Sequence, residues 1–234
     1  MTTFVGFDIE STGVDSFTDR IVTFAIVAED GSVRKEWVID PGVPIPEGAS
    51  DVHGWTTERV QAFAGTVSPS EGLTEILDTL RALSAREDVI FTAYNCPFDT
   101  TMLNSELKRH GVIPEDSNDF VDMIMGNGIL DPLVIDKATD RYRRGSRKLV
   151  DVSAHYGYTL VDAHEATADV LATIYLARTF WDRFKSKATI GQLMELQAAS
   201  KEEQALSLKE YLIKKGEKDV EVRGDWPIIL STTP

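Results

Sequence analysis

The stretch Phe4-Val5-Gly6-Phe7-Asp8-Ile9-Glu10-Ser11-Thr12-Gly13 constrains this chain more than any other. Its apolar density is that of a central strand covered on both faces, yet two acids fall near its end. Successive side chains on a strand alternate faces, so Asp8 and Glu10 project to one side and Ile9 to the other. Two carboxylates held side by side on a rigid strand repel each other unless something positive lies between them. A divalent cation with oxygen ligands is one answer, and a strand end where both acids reach water is the other. This stretch alone leaves both open.

Composition narrows the class. At 234 residues the chain is one large domain or two small ones, and 42% hydrophobic with 26% charged residues is ordinary for a globular protein with a real core. Cys96 is the single cysteine, which excludes an intrachain disulfide scaffold. No apolar run reaches the roughly 20 residues of a membrane helix, and no basic-then-apolar leader opens the sequence, so a reducing cytoplasm is the expectation. The net charge of −14 argues against gripping nucleic acid through a broad basic surface. It leaves room for an enzyme that holds a short piece of nucleic acid through metals and a few contacts.

Taken in order, 21–28 and 33–39 read as strands joined by the hairpin signal Asp30-Gly31. A proline-rich loop, 41–46, leads through Val52-His53-Gly54-Trp55-Thr56 to a short helix near 58–62. Ser68-Pro69-Ser70-Glu71 is a helix start, followed by an apolar stripe of Leu73, Ile76, Leu77, Leu80 and Leu83. A buried strand at 89–93 precedes a helix opened by Pro97 and stopped at Gly111. Phe120-Val121-Asp122 fits a further strand, and 137–148 a basic, irregular stretch. Helices follow over 149–156, over 164–184, and from the capping box Thr189-Ile190-Gly191-Gln192 to Lys214-Lys215. No repeat or linker interrupts the chain. It reads as an α/β domain, 1–185, with a helical C-terminal extension, 186–234, packed on or beside it.

Three more residues belong with Asp8 and Glu10. In Tyr94-Asn95-Cys96-Pro97-Phe98-Asp99, the acid falls in the first turn of a helix just beyond a strand end, where stabilising the helix dipole is a sufficient explanation by itself. In Ala163-His164-Glu165-Ala166-Thr167-Ala168-Asp169, the two ionisable ends lie roughly 140° apart on a regular helix, which suits separate tasks. Asp169 on an alanine-rich helical face needs a partner if it is buried. His164 taken alone reads as a surface residue.

In this order, Asp-x-Glu, then Asp, then His-x4-Asp, the sequence resembles the DnaQ-like (DEDDh) 3′–5′ exonucleases, a family that includes the proofreading subunits of bacterial replicative polymerases. The stretch from Phe7 to Gly13 is similar to the first motif, with Ser11 where threonine is common. The segment Val52-His53-Gly54-Trp55-Thr56 is similar to the family's His-Gly segment. The stretch from Asn95 to Asp99 matches the second motif, with Tyr94 where histidine is frequent, and His164 to Asp169 the third. The resemblance covers roughly 3–180; the last stretch resembles stand-alone members from actinobacteria and their phages. It implies a ribonuclease H-like fold with a mixed central sheet flanked by helices. It also implies two divalent ions, Mg²⁺ or Mn²⁺, with Asp8 bridging both, Glu10 and Asp169 completing the first set and Asp99 holding the second. His164 would take the proton of the attacking water. Ser11, Thr12, Gly13, His53 and Asn95 would hold the substrate, although Gly13 is equally an ordinary turn glycine. The implied partners are single-stranded DNA or frayed 3′ ends, with RNA as the alternative, and a DNA polymerase.

Lys137, Arg141, Arg143, Arg144, Arg147 and Lys148 form the one basic cluster of the chain. They read either as a track for substrate phosphates or as a solvated loop. Two other readings stay beside the exonuclease. An inactive module that docks to a polymerase would have lost one or more acids, and none is lost. A different ribonuclease-H-like nuclease would lack the His-x4-Asp spacing.

Overall fold

The computed structural model describes residues 1–161, 165–218 and 220–229. Strand β1 (Thr3–Ser11) is central, as its apolar density requires. It pairs antiparallel with β2 (Ile21–Ala28), which pairs antiparallel with β3 (Arg34–Ile39) through the turn at Asp30-Gly31. Helices α1 (Glu47–His53) and α2 (Thr57–Ala62) then lead to the two-residue edge strand β4 (Thr66–Val67). Helix α3 (Pro69–Ser84) starts where Ser68 Oγ accepts the Glu71 N–H. Strand β5 (Val89–Thr92) lies parallel to β1 on its other side and is followed by α4 (Pro97–Arg109) and α5 (Asp119–Asn127). The short β6 (Ile129–Leu130) closes the sheet, giving the order β4-β3-β2-β1-β5-β6. Helices α6 (Pro132–Thr139), α7 (Leu149–His155), α8 (Ala166–Phe184) and α9 (Ile190–Lys214) complete the described elements. The mixed sheet with helices on both faces is the ribonuclease H-like architecture.

Alternation along β1 builds two cores. Val5, Phe7 and Ile9 pack against the helix layer that includes Leu73, Ile76, Leu77, Met102 and Leu103. Phe4 joins Val170, Ile174 and Ala177 of α8 on the opposite face. Gly6 lies on that second face too, and a methyl group there would come 2.8 Å from Val170 and Ile174 side chains. The missing side chain lets α8 cross β1 closely, which brings the start of α8 over Asp8 and Glu10.

Two expectations need correction. Phe120, Val121 and Asp122 lie in α5, because Phe120 and Ile124 are buried one turn apart on the same helical face. A three-residue apolar run could not distinguish the two periods. The stretch 137–148 is not irregular from its start: α6 runs to Thr139 and is opened by Asp131, whose carboxylate accepts from Leu133 and Val134 N–H groups. None of the helices over the described residues is long and apolar enough to cross a membrane.

Candidate active site

Strand β5 pairs with β1 only from Thr3 to Gly6. The ladder ends at Gly6, and the last residues of β1 run on at the carboxyl ends of the parallel strands, where α/β folds place their ligands. The N–H of Ile9, past the end of that ladder, donates to Asp99 Oδ1 at 3.1 Å. Asp99 is 3% exposed at the start of α4. One hydrogen bond therefore seats the second-motif acid between Asp8 and Glu10 along the strand. A register shift follows at Glu10/Ser11, a bulge of the kind that re-aims side chains near functional sites.

Asp8, Glu10 and Asp169 each present a carboxylate oxygen, and these oxygens lie within 4.8 Å of one another. The electrostatic consequence is large. Burial, then Asp99, Glu10 and Asp169 in turn, push the Asp8 carboxyl well above the usual range. Burial and Asp169 push Glu10 up to about 7. Asp99 is also raised, by burial first; the hydrogen bonds from its own N–H and from Ile9 oppose this, and Asp131 and Glu10 add to it. Asp8, Glu10 and Asp99 appear in no ion pair among the described residues. An all-carboxylate set of this density fits hard divalent cations that prefer oxygen, Mg²⁺ or Mn²⁺, since ionisation of the cluster needs positive charge between its members.

The loop after β1 is braced from within. Ser11 Oγ donates to Gly13 O at 2.7 Å, Thr12 Oγ1 to Asp19 Oδ1 at 3.1 Å, and Asp15 N to Asp19 Oδ2 at 2.8 Å. A Cβ on Gly13 would come 2.4 Å from Asp19 Oδ2, so the glycine here serves close approach by that carboxylate. His53 is buried beneath the loop. Its Nδ1 accepts from Trp55 N at 3.1 Å, which leaves Nε2 as the donor to Ser11 O at 3.3 Å. Burial lowers its pKa, in keeping with a neutral ring that holds the loop. Asn95 adopts φ 63°, a left-handed conformation that asparagine tolerates. His164 lies outside the described residues.

Three residues escaped the sequence reading. Asp131 is fully buried and accepts the N–H groups of Asn95 and Cys96, both at 3.0 Å, while it caps α6. Gln197, fully buried on α9, accepts from Asp131 N at 2.6 Å and donates to Ile129 O at 3.1 Å. Lys201 Nζ donates to Asn95 Oδ1 at 3.0 Å. The C-terminal strap adds to this: Thr100 Oγ1 donates to Pro227 O, and Ile229 N donates to Thr101 Oγ1 at 2.8 Å. Asp131-Pro132 was a legible helix start, but no sequence signal linked it to Asn95. Three residues of the basic cluster find partners within the chain. Arg143 and Arg147 turn onto the buried Asp136 carboxylate, and Arg141 pairs with Glu203 on the surface.

Comparison with known proteins identifies relatives and a shared fold. DNA polymerase III PolC-type of Lacticaseibacillus paracasei is 28% identical over 176 residues, 74% of this chain but 11% of that protein. The PolC-type enzyme of Streptococcus mutans is 23% identical over 197 residues, 83% of this chain and 12% of its own length. The chain therefore spans about a ninth of these relatives. E. coli exonuclease I, solved in complex with a dA16 oligonucleotide, superposes with a TM-score of 0.64 at 21% identity, covering 80% of this chain and 42% of that one. Residues 5–177 match the RNase_T exonuclease family, and the chain belongs to that family.

Proposed function

We propose that this chain is a metal-dependent 3′–5′ exonuclease that removes nucleoside 5′-monophosphates from single-stranded or frayed DNA. The observation that carries the reading is the convergence of Asp8, Glu10 and Asp169 oxygens within 4.8 Å, with Asp99 fastened to the intervening Ile9 N–H. The likeness to PolC-type polymerases supports DNA over RNA and a polymerase as a partner. In this reading 1–185 form the catalytic unit and 186–234 an extension packed against it.

Asp8, Glu10 and Asp169 would hold one divalent ion, and Asp8 with Asp99 a second. Bound there, the ions would stabilise the attacking and leaving oxygens of an in-line displacement. The chain's own residues do the rest. The Ser11-Thr12-Gly13 loop, kept rigid by His53 and Asp19, receives the terminal nucleotide, and Asn95 borders it. Water attacks the terminal phosphorus and its proton passes to the imidazole of His164, a group whose ordinary pKa near 6.5 suits this task at neutral pH. The bond from phosphorus to the 3′ oxygen of the preceding nucleotide breaks. That oxygen takes up a proton and becomes the new 3′-hydroxyl.

A time course tests the reading. A 5′-labelled single strand, as DNA and as matched RNA, is incubated with Mg²⁺, with Mn²⁺ and with chelator, beside the Asp8→Ala variant. A ladder of shortening DNA that needs both metal and Asp8 is expected. Intact DNA, or internal cuts alone, overturns the proposal, and preferential shortening of the RNA moves the substrate to the alternative class. Replacing His164 by Ala should slow hydrolysis by roughly 10²–10⁴-fold, the range for loss of a general base.

A further inference from the structure

All eight residues of β2 are buried, and seven of them are apolar. The exception is Thr23, 1% exposed, whose Oγ1 has no hydrogen-bond partner among the described residues. A hydroxyl left unpaired inside a protein costs stability that a methyl group in its place would not, and valine supplies that methyl at the same shape. Valine is also at least as good a strand former. Other buried threonines are satisfied: Thr92 Oγ1 donates to Leu130 O at 2.8 Å, and Thr167 Oγ1 to Glu36 Oε2 at 3.2 Å. The hydroxyl of Thr23 therefore asks for an acceptor that the chain by itself has not engaged.

The register of the sheet says where this hydroxyl stands. Thr23 is paired with Glu10 across the antiparallel β1–β2 ladder, and Asp8 with Ala25 two residues along. Side chains directly opposite in such a ladder project from the same face, with Cβ atoms roughly 4.5–5.5 Å apart. Phe24 and Ile9, one residue on, point into the other core, while Ala25 and Val27 lie with the α8 side chains over the acid face. Thr23 is thus the neighbour of Glu10 on the face where Asp8, Glu10 and Asp169 converge. The pair is also the last before the register shift at Glu10/Ser11. Glu36, paired with Ala25 on the same face, is already engaged by Thr167, which leaves Glu10 as the acid opposite Thr23.

We propose that Thr23 is a positioning residue for Glu10: when the ionised carboxylate gives one oxygen to a divalent ion, the Thr23 hydroxyl donates to the other. This rests on the exonuclease reading of the acid cluster. A carboxylate has lone pairs enough for both tasks. Held from behind by Thr23, Glu10 meets the ion already turned toward it. Groups that orient a metal ligand in this way set affinity or activity by roughly 10–100-fold. The unpaired hydroxyl and the crowded acids then have one cause, since both wait for the same ion. None of the exonuclease motifs contains Thr23, because it reaches the site through strand register and not through sequence proximity.

The test measures metal binding rather than turnover. Mn²⁺ is titrated calorimetrically into the full chain at pH 8 without nucleic acid, beside Asp8→Ala as the control for the acid cluster. Thr23→Val should raise the Kd of the Asp8-dependent ion by about 10-fold or more. Thr23→Ser keeps the hydroxyl and should bind as the wild type does. In chelator, Thr23→Val should melt no lower than the wild type, because it removes an unpaired polar atom at nearly constant shape. A lower melting temperature with an unchanged Kd would mean that the hydroxyl serves only the fold, and overturns the proposal. Equal losses of affinity in the Val and Ser variants overturn it too, since the hydroxyl would not be the agent. If the wild type binds Mn²⁺ through Asp8 and Thr23→Val binds it equally well, the threonine fails by itself. If the wild type binds no Mn²⁺, or Asp8→Ala binds it as tightly, the metal reading of the acid cluster fails with it.

Discussion

Around Asp136, two guanidinium groups converge on one buried carboxylate; around Asp8, carboxylates converge on one another. The Asp136 side chain is 0% exposed, with those of Arg143 and Arg147 at 11% and 16%, and Tyr156 Oη donates to its other oxygen at 3.0 Å. Charge and hydrogen-bond capacity are both met inside the chain. At Asp8 the neighbours among the described residues that shift its pKa are Asp99, Glu10 and Asp169, and each of them raises it. Crowding that the fold resolves internally is architecture. In the proposed reading, the crowding around Asp8 is left for an outside ion to resolve, and stability is given up there for the sake of binding.

This contrast can be broken most directly by neutralising one acid in each region. Asp8→Asn should cut hydrolysis by about 10³-fold, the scale of losing a preorganised electrostatic group. At pH 8 in chelator, however, it should melt about 2–4 °C above the wild type, since about 1 kcal/mol of repulsion is relieved in a chain of this size. Asp136→Asn should do the reverse. Removing one member of a buried ionic cluster leaves two cations uncompensated, at a cost of about 3 kcal/mol. The variant should melt about 6–12 °C lower, and its metal-dependent chemistry should survive at temperatures where it stays folded. Calorimetry and the strand-shortening assay on both variants decide the matter. A destabilised Asp8→Asn would mean that the acid cluster is compensated after all.

The pH dependence sharpens the same point with a smaller effect. Glu10 titrates from 4.5 to about 7 on folding, so the native chain holds a proton there that the unfolded chain has lost. Stability from this group is complete below 4.5 and is lost as pH rises through about 7. In chelator, the melting temperature should therefore fall over that window. Mg²⁺ or Mn²⁺ binds the ionised form, and its stabilisation should grow from pH 5 to pH 8. A melting temperature that metal raises equally at both pH values would separate ion binding from the carboxylates.

Much of this was legible because local rules and the tertiary fold agree. Alternation in β1 put Asp8 and Glu10 on one face, and the caps at Ser68, Pro97 and Thr189 marked true helix starts. What stayed hidden depends on contacts between distant parts of the chain. Lys201 reaches Asn95 across 106 residues, and Gln197 reaches Asp131 across 66, through β6, a strand too short to announce itself. The partners of the run 137–148 stayed hidden for another reason. A charge run carries no sign of whether an acid is buried beneath it, and Asp136 precedes the run by one residue. His53 shows a further limit: the resemblance grouped it with the residues that would hold substrate, but only the structure puts it beneath the loop after β1 with both ring nitrogens spent on Ser11 and Trp55.

The smallest effect belongs to the exposed pair next to the buried one. Arg141 and Glu203 join α9 to the turn after α6, with side chains 58% and 64% exposed. Each group keeps most of its hydration when the pair breaks, and salt screens the attraction that remains. Arg141→Gln should thus change stability by less than about 1 kcal/mol, a shift of no more than about 4 °C in the melting temperature. Whatever shift exists should vanish at 1 M KCl, where the Debye length is about 3 Å. The loss in Asp136→Asn should persist at that salt, because its partners lie out of reach of the ions. If the Arg141 variant instead lost as much stability as Asp136→Asn, the cleft between α6 and α9 would be held shut by charge rather than framed by Asp136, and burial would no longer be what separates the two kinds of pair.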